Sequence, residues 1–344
     1  MHILKIDQTM HEASFYIKLD DKKVQCILCP RNCVIDEGKF GNCNARRNRN
    51  GVLSSEVYSR IASINVDSIE KKPLYHFYPG SEILSVGTTG CNMHCVFCQN
   101  HTLSQSNNRN PVLIKNITPE ELLQIASDSP KNLGIAFTYN EPTINFEYMI
   151  EAARLFKMNG LKTVMVSNGY INRDPLEMLI QYTDAFNIDL KGFSETFYKK
   201  YTKSTLKPVL DTIIQIAKHD KHIELTNLVI PTLNDDEDEF EALCKWIVKY
   251  LGKDTVLHLS RFFPRYELDQ YPTPPEMLFN LYDLAKVYLN YVYIGNMATE
   301  IHSNTYCPSC GKLLIERTYA YNKRKGIDDL GICIKCGEKI LDYV

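Results

Sequence analysis

The sequence has no apolar run long enough to cross a bilayer. Its first twenty residues lack the charged-then-apolar layout of a secretory leader. It shows no low-complexity tract and no long internal repeat. Neither sign of charge is in surplus: 39 basic against 41 acidic residues leave a formal net charge of −2. Bulk electrostatics therefore argues against a nucleic-acid binder, a membrane-surface protein and any membrane partner. A cytoplasmic protein is the expectation. With 344 residues, 44% of them hydrophobic, the chain can build one large domain with small appendages.

Cysteine, by contrast, is plentiful, with twelve in all. In a reducing compartment that number argues for metal ligation rather than disulfides. Cys91, Cys95 and Cys98 form a C-x3-C-x2-C run with an aromatic, Phe97, before the last cysteine. Three thiolates this close can grip three irons of a [4Fe–4S] cubane. No fourth cysteine follows nearby, so one iron is left open. An open iron can bind and reduce a substrate directly, whereas a fully ligated cluster only passes electrons. The competing reading, a structural zinc loop, needs a fourth ligand, and C-x3-C is an uncommon zinc half-site.

Two further sets flank this one. Cys307, Cys310, Cys333 and Cys336 read C-x2-C-x22-C-x2-C, with Gly311 and Gly337 following the two pairs. This spacing describes a zinc ribbon, with rubredoxin-like iron as the competitor. Cys26, Cys29, Cys33 and Cys43 read C-x2-C-x3-C-x9-C. Either tetrahedral zinc or an auxiliary [4Fe–4S] cluster fits that set. The lack of ferredoxin spacing tilts the expectation toward zinc. Cys244 stands alone in a helical pattern and reads as a buried thiol.

Between the outer sets, strand and helix patterns alternate. Strands are expected at 83–87, 133–138, 162–167, 185–190, 223–230, 256–262 and 292–294. Helices are expected from Thr118-Pro119, at 144–158, 174–181 and 209–219, from Asn234, and at 275–288. Short loops between such units predict a parallel α/β sheet, here a partial (β/α)6-type TIM barrel. Chemistry in that scaffold collects at the carboxyl ends of the strands. The expected organisation is a Cys-rich segment over 1–80, the partial barrel over 81–302 and a zinc-ribbon-like module over 303–344.

The cysteine run resembles the signature of the radical S-adenosylmethionine (SAM) superfamily. Six stretches resemble, more closely, the radical SAM enzymes of the AmmeMemoRadiSam system, a branch related to pyruvate formate-lyase activating enzymes. They are Cys26–Cys33, Glu70–Gly80, the cysteine loop through Asn100, Tyr139–Thr143, Ser167–Tyr170 and Ile188–Phe193. The resemblance implies a [4Fe–4S] cluster and SAM as cofactors. It also implies a one-electron donor such as flavodoxin or ferredoxin, with a protein substrate or accessory proteins as partners. Glu141, where the superfamily often has Gly-Gly-Glu, would accept a hydrogen bond from the SAM amine. Ser167 and Asn168 would contact the ribose or the SAM carboxylate, and Asp189 and Lys191 would lie near the same groups. The competing structural roles are a helix-start acid, an Asn-Gly turn and a strand-end ion pair. His258, Arg261 and Arg265 could form a wall opposite the cluster, although a strand histidine more often belongs to the core. His94 and His101 read as neighbours of the cysteine loop rather than ligands. Pro73–Tyr78 would either cover the barrel mouth or pack on the barrel.

The implied activity is reductive SAM cleavage followed by hydrogen abstraction from a protein, peptide or small molecule, as in glycyl-radical activases. Two other readings compete. An RNA-modifying enzyme would anchor on the zinc ribbon and Arg46-Arg47-Asn48-Arg49; near-neutral charge argues against it, and a short basic run is usually a solvated loop. A non-catalytic metal-binding or redox-sensing scaffold would use the three cysteine sets alone.

Overall fold

Short aliphatic runs bounded by polar loops form the centre of the protein. The computed structural model describes residues 10–106, 112–299, 301–318 and 322–344. Among these, eight strands make one sheet: β1 (Ser63–Ser68), β2 (Glu82–Gly87), β3 (Asn132–Phe137), β4 (Lys162–Ser167), β5 (Ala185–Asp189), β6 (His222–Val229), β7 (Val256–Arg261) and β8 (Tyr291–Gly295). Their spatial order, β8-β7-β6-β5-β4-β3-β2-β1, is the chain order. Strands β2 to β8 pair in parallel, and β1 closes one edge antiparallel to β2. The antiparallel edge strand thus comes from the Cys-rich segment.

Six helices return the chain from each strand to the next: α1 (Pro119–Ser127), α2 (Phe146–Met158), α3 (Arg173–Tyr182), α4 (Leu206–Lys218), α5 (Glu237–Leu251) and α6 (Pro275–Tyr288). Their starts follow local rules. Thr118 and Glu121 form a reciprocal capping box ahead of Pro119. Asp236 accepts from the Glu239 N–H at the head of α5. Helix α4 begins at Leu206, earlier than its apolar periodicity suggests, because Pro208 is tolerated in a first turn. Helix α2 begins at Phe146, later than expected, because a 3-10 turn over Pro142–Asn145 precedes it. Burial at Leu206, Val209, Ile213 and Ile216 turns one face of α4 to the sheet. Cys244 is buried on α5. No helix among the described residues is long and apolar enough to cross a membrane.

The basic run Arg46–Arg49 is a strand, not a solvated loop. Its period of two turns Arg46 and Asn48 inward and leaves Arg49 exposed. Arg46 is buried, and its Nη2 pairs with Glu147 Oε1 at 2.7 Å. Its Nη1 donates to the Ser14 carbonyl, and the Ser14 N–H donates to the same carboxylate. These contacts seat the N-terminal segment on α2.

Pro73–Tyr78 packs at the amino ends of the strands. Glu224 of β6 is fully buried there, and it accepts from the backbone N–H groups of Tyr75 and His76. It also contacts His222 Nε2 at 2.8 Å and His258 Nε2 at 2.6 Å. Burial works against the Glu224 carboxylate, but the two histidine contacts hold it well below the usual range. His258 therefore belongs to the core and lies away from the carboxyl rim. Arg317, from the C-terminal module, lies over the Tyr75 ring and donates to the Tyr75 carbonyl.

His76 shares a 2.7 Å hydrogen bond with Tyr293, and burial lowers its pKa from 6.5 to about 3. Between those values the unfolded chain binds a proton that the folded chain does not. Stability therefore falls as pH drops from 6.5 toward 3, by up to about 1.4 kcal/mol per pH unit. The depressed Glu224 contributes only below the ordinary carboxylate range, near 4.5. Between pH 7 and 5, the thermal midpoint should fall for the wild type and fall less steeply for His76→Gln. Parallel slopes in scanning calorimetry would exclude this role of His76.

Candidate active site at the carboxyl rim

Strand β2 ends at Gly87, and the chain then enters the loop bearing Cys91, Cys95 and Cys98. Buried amides hold this loop. Asn140 donates to the Gly90 carbonyl at 2.8 Å and accepts from the Thr88 N–H at 3.1 Å. Asn92 donates to the Tyr170 carbonyl at 2.7 Å and accepts from Asn168 Nδ2 at 2.9 Å. The His94 and Val96 N–H groups donate to the carbonyls of Thr202 and Tyr201. Gly90 has φ +96°, and a Cβ there would lie 2.3 Å from the Cys43 carbonyl oxygen.

The three thiols line a cavity of about 240 Å³ shared with the carboxyl ends of the strands. Cys91 accepts from the Met93 N–H, Asn168 Nδ2 lies 3.7 Å from its sulfur, and Cys98 contacts the Ser104 hydroxyl at 3.1 Å. Burial raises the Cys91 pKa well above its ordinary value and that of Cys95 to about 12. Thiols in that condition become thiolates on coordinating metal, because the cation favours the charged form. Among the described residues lining the cavity, no fourth cysteine appears. The donor set fits a cubane with one corner free.

Glu141 faces the same cavity and also caps the 3-10 turn. Its Oε1 accepts from the Thr143 N–H and the Ser167 hydroxyl, and its Oε2 accepts from the Asn168 N–H at 2.8 Å. Burial raises its pKa, and these donors oppose the rise. Asn168 makes the Asn-Gly turn as well, its Oδ1 accepting from the Tyr170 N–H. Lys191 pairs with Asp189 at 2.8 Å. Burial works to lower the Lys191 pKa, but Asp189 and then Cys95 hold it above the ordinary lysine range. Glu141, Ser167, Asn168, Asp189 and Lys191 all line the one cavity while filling the structural roles that competed in the sequence. The arrangement offers a carboxylate with a spare lone pair, an ammonium group and three thiols around one space.

Arg261 donates to the Thr273 carbonyl and Arg265 is exposed, so neither forms the wall expected of it. His94 bridges Gln105 and Asn42, and His101 stacks on Tyr266. Sequence reasoning missed Asn92, Asn140, Thr226 and Ser260. Asn92 and Asn140 sit inside quoted motifs, and that position was their only signal. Tyr139 takes the left-handed φ of +71° where the family often has glycine. Its hydroxyl bonds Asp67 at 2.8 Å, and Lys72 lies over its ring.

Residues 85–247 match the radical SAM superfamily. The chain belongs to that superfamily. An uncharacterized protein of Methanocaldococcus jannaschii is 45% identical over 339 residues, covering 96% of this chain and 99% of that one. A (2S)-3-sulfopropanediol dehydratase activating enzyme of Klebsiella oxytoca is 28% identical over 130 residues, 38% of this chain and 41% of that enzyme. Streptococcus suis SuiB bound to S-adenosylmethionine shares the fold, with a TM-score of 0.50 at 13% identity over 62% of this chain and 52% of that one. The superfamily implies a [4Fe–4S] cluster and SAM.

At the C-terminus, the ligand atoms of Cys307, Cys310, Cys333 and Cys336 all lie within 4.8 Å of one another, as one metal centre requires. In the central loop, Gly90→Ala should cost at least about 1–3 kcal/mol, from strain at positive φ and the clash with Cys43. The variant should lose iron from the cysteine loop during anaerobic gel filtration. Wild-type iron retention and an unchanged thermal midpoint would show that the loop accommodates a side chain there.

Proposed function

We propose that this chain reductively cleaves SAM and abstracts a hydrogen atom from a protein or peptide, in the manner of glycyl-radical activating enzymes. The observation that carries the reading is the single cavity shared by three thiols, Glu141 and the Asp189–Lys191 pair. Cluster and SAM, when bound, supply one-electron cleavage of a carbon–sulfur bond, giving methionine and a 5′-deoxyadenosyl radical that removes a hydrogen atom.

The residues orient and exclude. Cys91, Cys95 and Cys98 would hold the cluster, which with fewer than four thiolates would keep a place for SAM. Glu141 accepts a hydrogen bond from the SAM ammonium through the free lone pair of Oε2. Lys191 attracts the SAM carboxylate, and Asp189 and Ser167 serve the ribose. Asn168 donates toward the Cys91 sulfur and so tunes the cluster's electronics. The strand ends wall the cavity from bulk water, which limits side reactions. The electron comes from a small carrier such as flavodoxin or ferredoxin. The relative named as a dehydratase activating enzyme supports an oxidoreductase of the activating-enzyme type, and we assign a glycine Cα–H as the reacting bond. Zinc is the metal we assign to Cys307, Cys310, Cys333 and Cys336, as a structural ribbon or docking surface.

Anaerobically reconstituted protein should form 5′-deoxyadenosine from SAM with dithionite. Cys91→Ala/Cys95→Ala/Cys98→Ala should form none. A wild type that binds iron and sulfide without cleaving SAM would favour the scaffold reading. Glu141→Gln, which keeps the shape but reverses one hydrogen bond, should weaken SAM binding about tenfold to a hundredfold. Equal affinities by equilibrium dialysis would remove Glu141 from the SAM site.

A further inference from the structure

Cys26, Cys29, Cys33 and Cys43 line a second cavity, with Leu28 and Ile35 as apolar walls. Backbone geometry builds it. Cys26 ends one strand of a hairpin-like pair, and its N–H donates to the Cys33 carbonyl at 2.9 Å. The turn at Cys29 closes through the Asn32 N–H. Spacing alone tilts this set toward zinc, but the geometry points to a larger guest. One tetrahedral zinc with bonds near 2.3 Å would draw its sulfurs to within about 3.8 Å of one another. The C-terminal cysteines come close to that demand, with Cys307 and Cys336 at 3.5 Å and Cys310 and Cys333 at 3.7 Å. Among the described residues they are the one group of three or more metal-binding side chains whose ligand atoms all lie within 4.8 Å. The N-terminal four surround a space instead of converging on a point.

A second observation is Arg46. It lines this cavity at 1% exposure. Its two terminal nitrogens are used by Ser14 and Glu147, while its buried Nε–H has no acceptor. A cluster sulfide or a ligating thiolate would supply that acceptor, and the guanidinium would offset the anionic charge.

We propose that Cys26, Cys29, Cys33 and Cys43 fully ligate a second [4Fe–4S] cluster, a one-electron carrier beside the central site. Asn92, which follows Cys91, lines this cavity too, and Gly90 lies against the Cys43 carbonyl. His94 of the central loop meets Asn42 at 2.7 Å. Electron transfer between the two loops needs no bond made or broken. A reductant such as dithionite or reduced flavodoxin is oxidised by one electron, and the N-terminal cluster is reduced by one. Passing that electron onward rests on the function proposed above; the cluster itself does not.

The test is Cys91→Ala/Cys95→Ala/Cys98→Ala in the full chain, reconstituted anaerobically with iron and sulfide. The variant should keep about four irons and four sulfides and give the EPR signal of a reduced cubane that SAM leaves unchanged. The wild type, measured alongside, should hold about twice that iron. A variant without iron–sulfur signal and a wild type with iron for one cluster and zinc at both outer sets would overturn the proposal. A wild-type EPR spectrum insensitive to SAM would count against the central site while leaving the N-terminal assignment standing.

Discussion

Parallel pairing of β2 to β8 in chain order is the constraint on which the rest of the structure depends. When neighbouring strands all point the same way, every strand delivers its following loop to the same rim. Residues from positions 91 to 296 therefore meet around one cavity. A rim built this way must bury polar side chains, and each needs a partner to offset desolvation. Glu141 meets that need with three donors from the end of β4, the residue after it and its own turn, and Lys191 with Asp189. The same bonds that make burial tolerable fix the side chains at the cavity wall. Orientation at the site is thus a by-product of satisfying buried charge.

The amino ends of the same strands show the contrast. Glu224 is as deeply buried as Glu141, yet its two oxygens are shared among two backbone N–H groups and two histidines. Tyr293 bridges His76 and Thr305, and Arg317 closes over Tyr75. A cavity of about 550 Å³ lies at this end, lined by His76 and His222 but not by Glu224 or His258, and each of those two histidines is already bonded, His76 to Tyr293 and His222 to Glu224. Polar density alone does not mark an active site. What separates the two ends is whether the buried groups retain bonding capacity toward an accessible space.

That distinction explains what the sequence disclosed. Period and capping are local, so the strand Lys162–Ser167, the capping box at Thr118 and the helix Pro275–Tyr288 were legible. The cysteine loop was legible because three metal donors within one loop constrain one another. Arg46 was not, because its role depends on Glu147, a partner far away in the chain; His258 takes the core role the sequence favoured, through a Glu224 contact that the sequence did not disclose. The basic run looked solvated only because strand alternation and a distant carboxylate are invisible in composition. Tyr139 escaped for another reason: its left-handed backbone is held by Asp67 and Lys72 rather than by glycine.

The N-terminal segment is legible least of all, yet it braces the cysteine loop. Arg31 donates to the Asn92 carbonyl at 2.8 Å and to the Lys203 carbonyl. The Asn172 amide donates to the Ile27 carbonyl, and its N–H to that of Leu28. Cys43 sits where any side chain at residue 90 would collide. Backbone-to-backbone approach of that closeness leaves no room for water between the two loops. Asn92 of the central loop thus forms part of the wall of the N-terminal cavity. A segment that merely decorated the sheet edge would have no reason to reach the residues flanking Cys91.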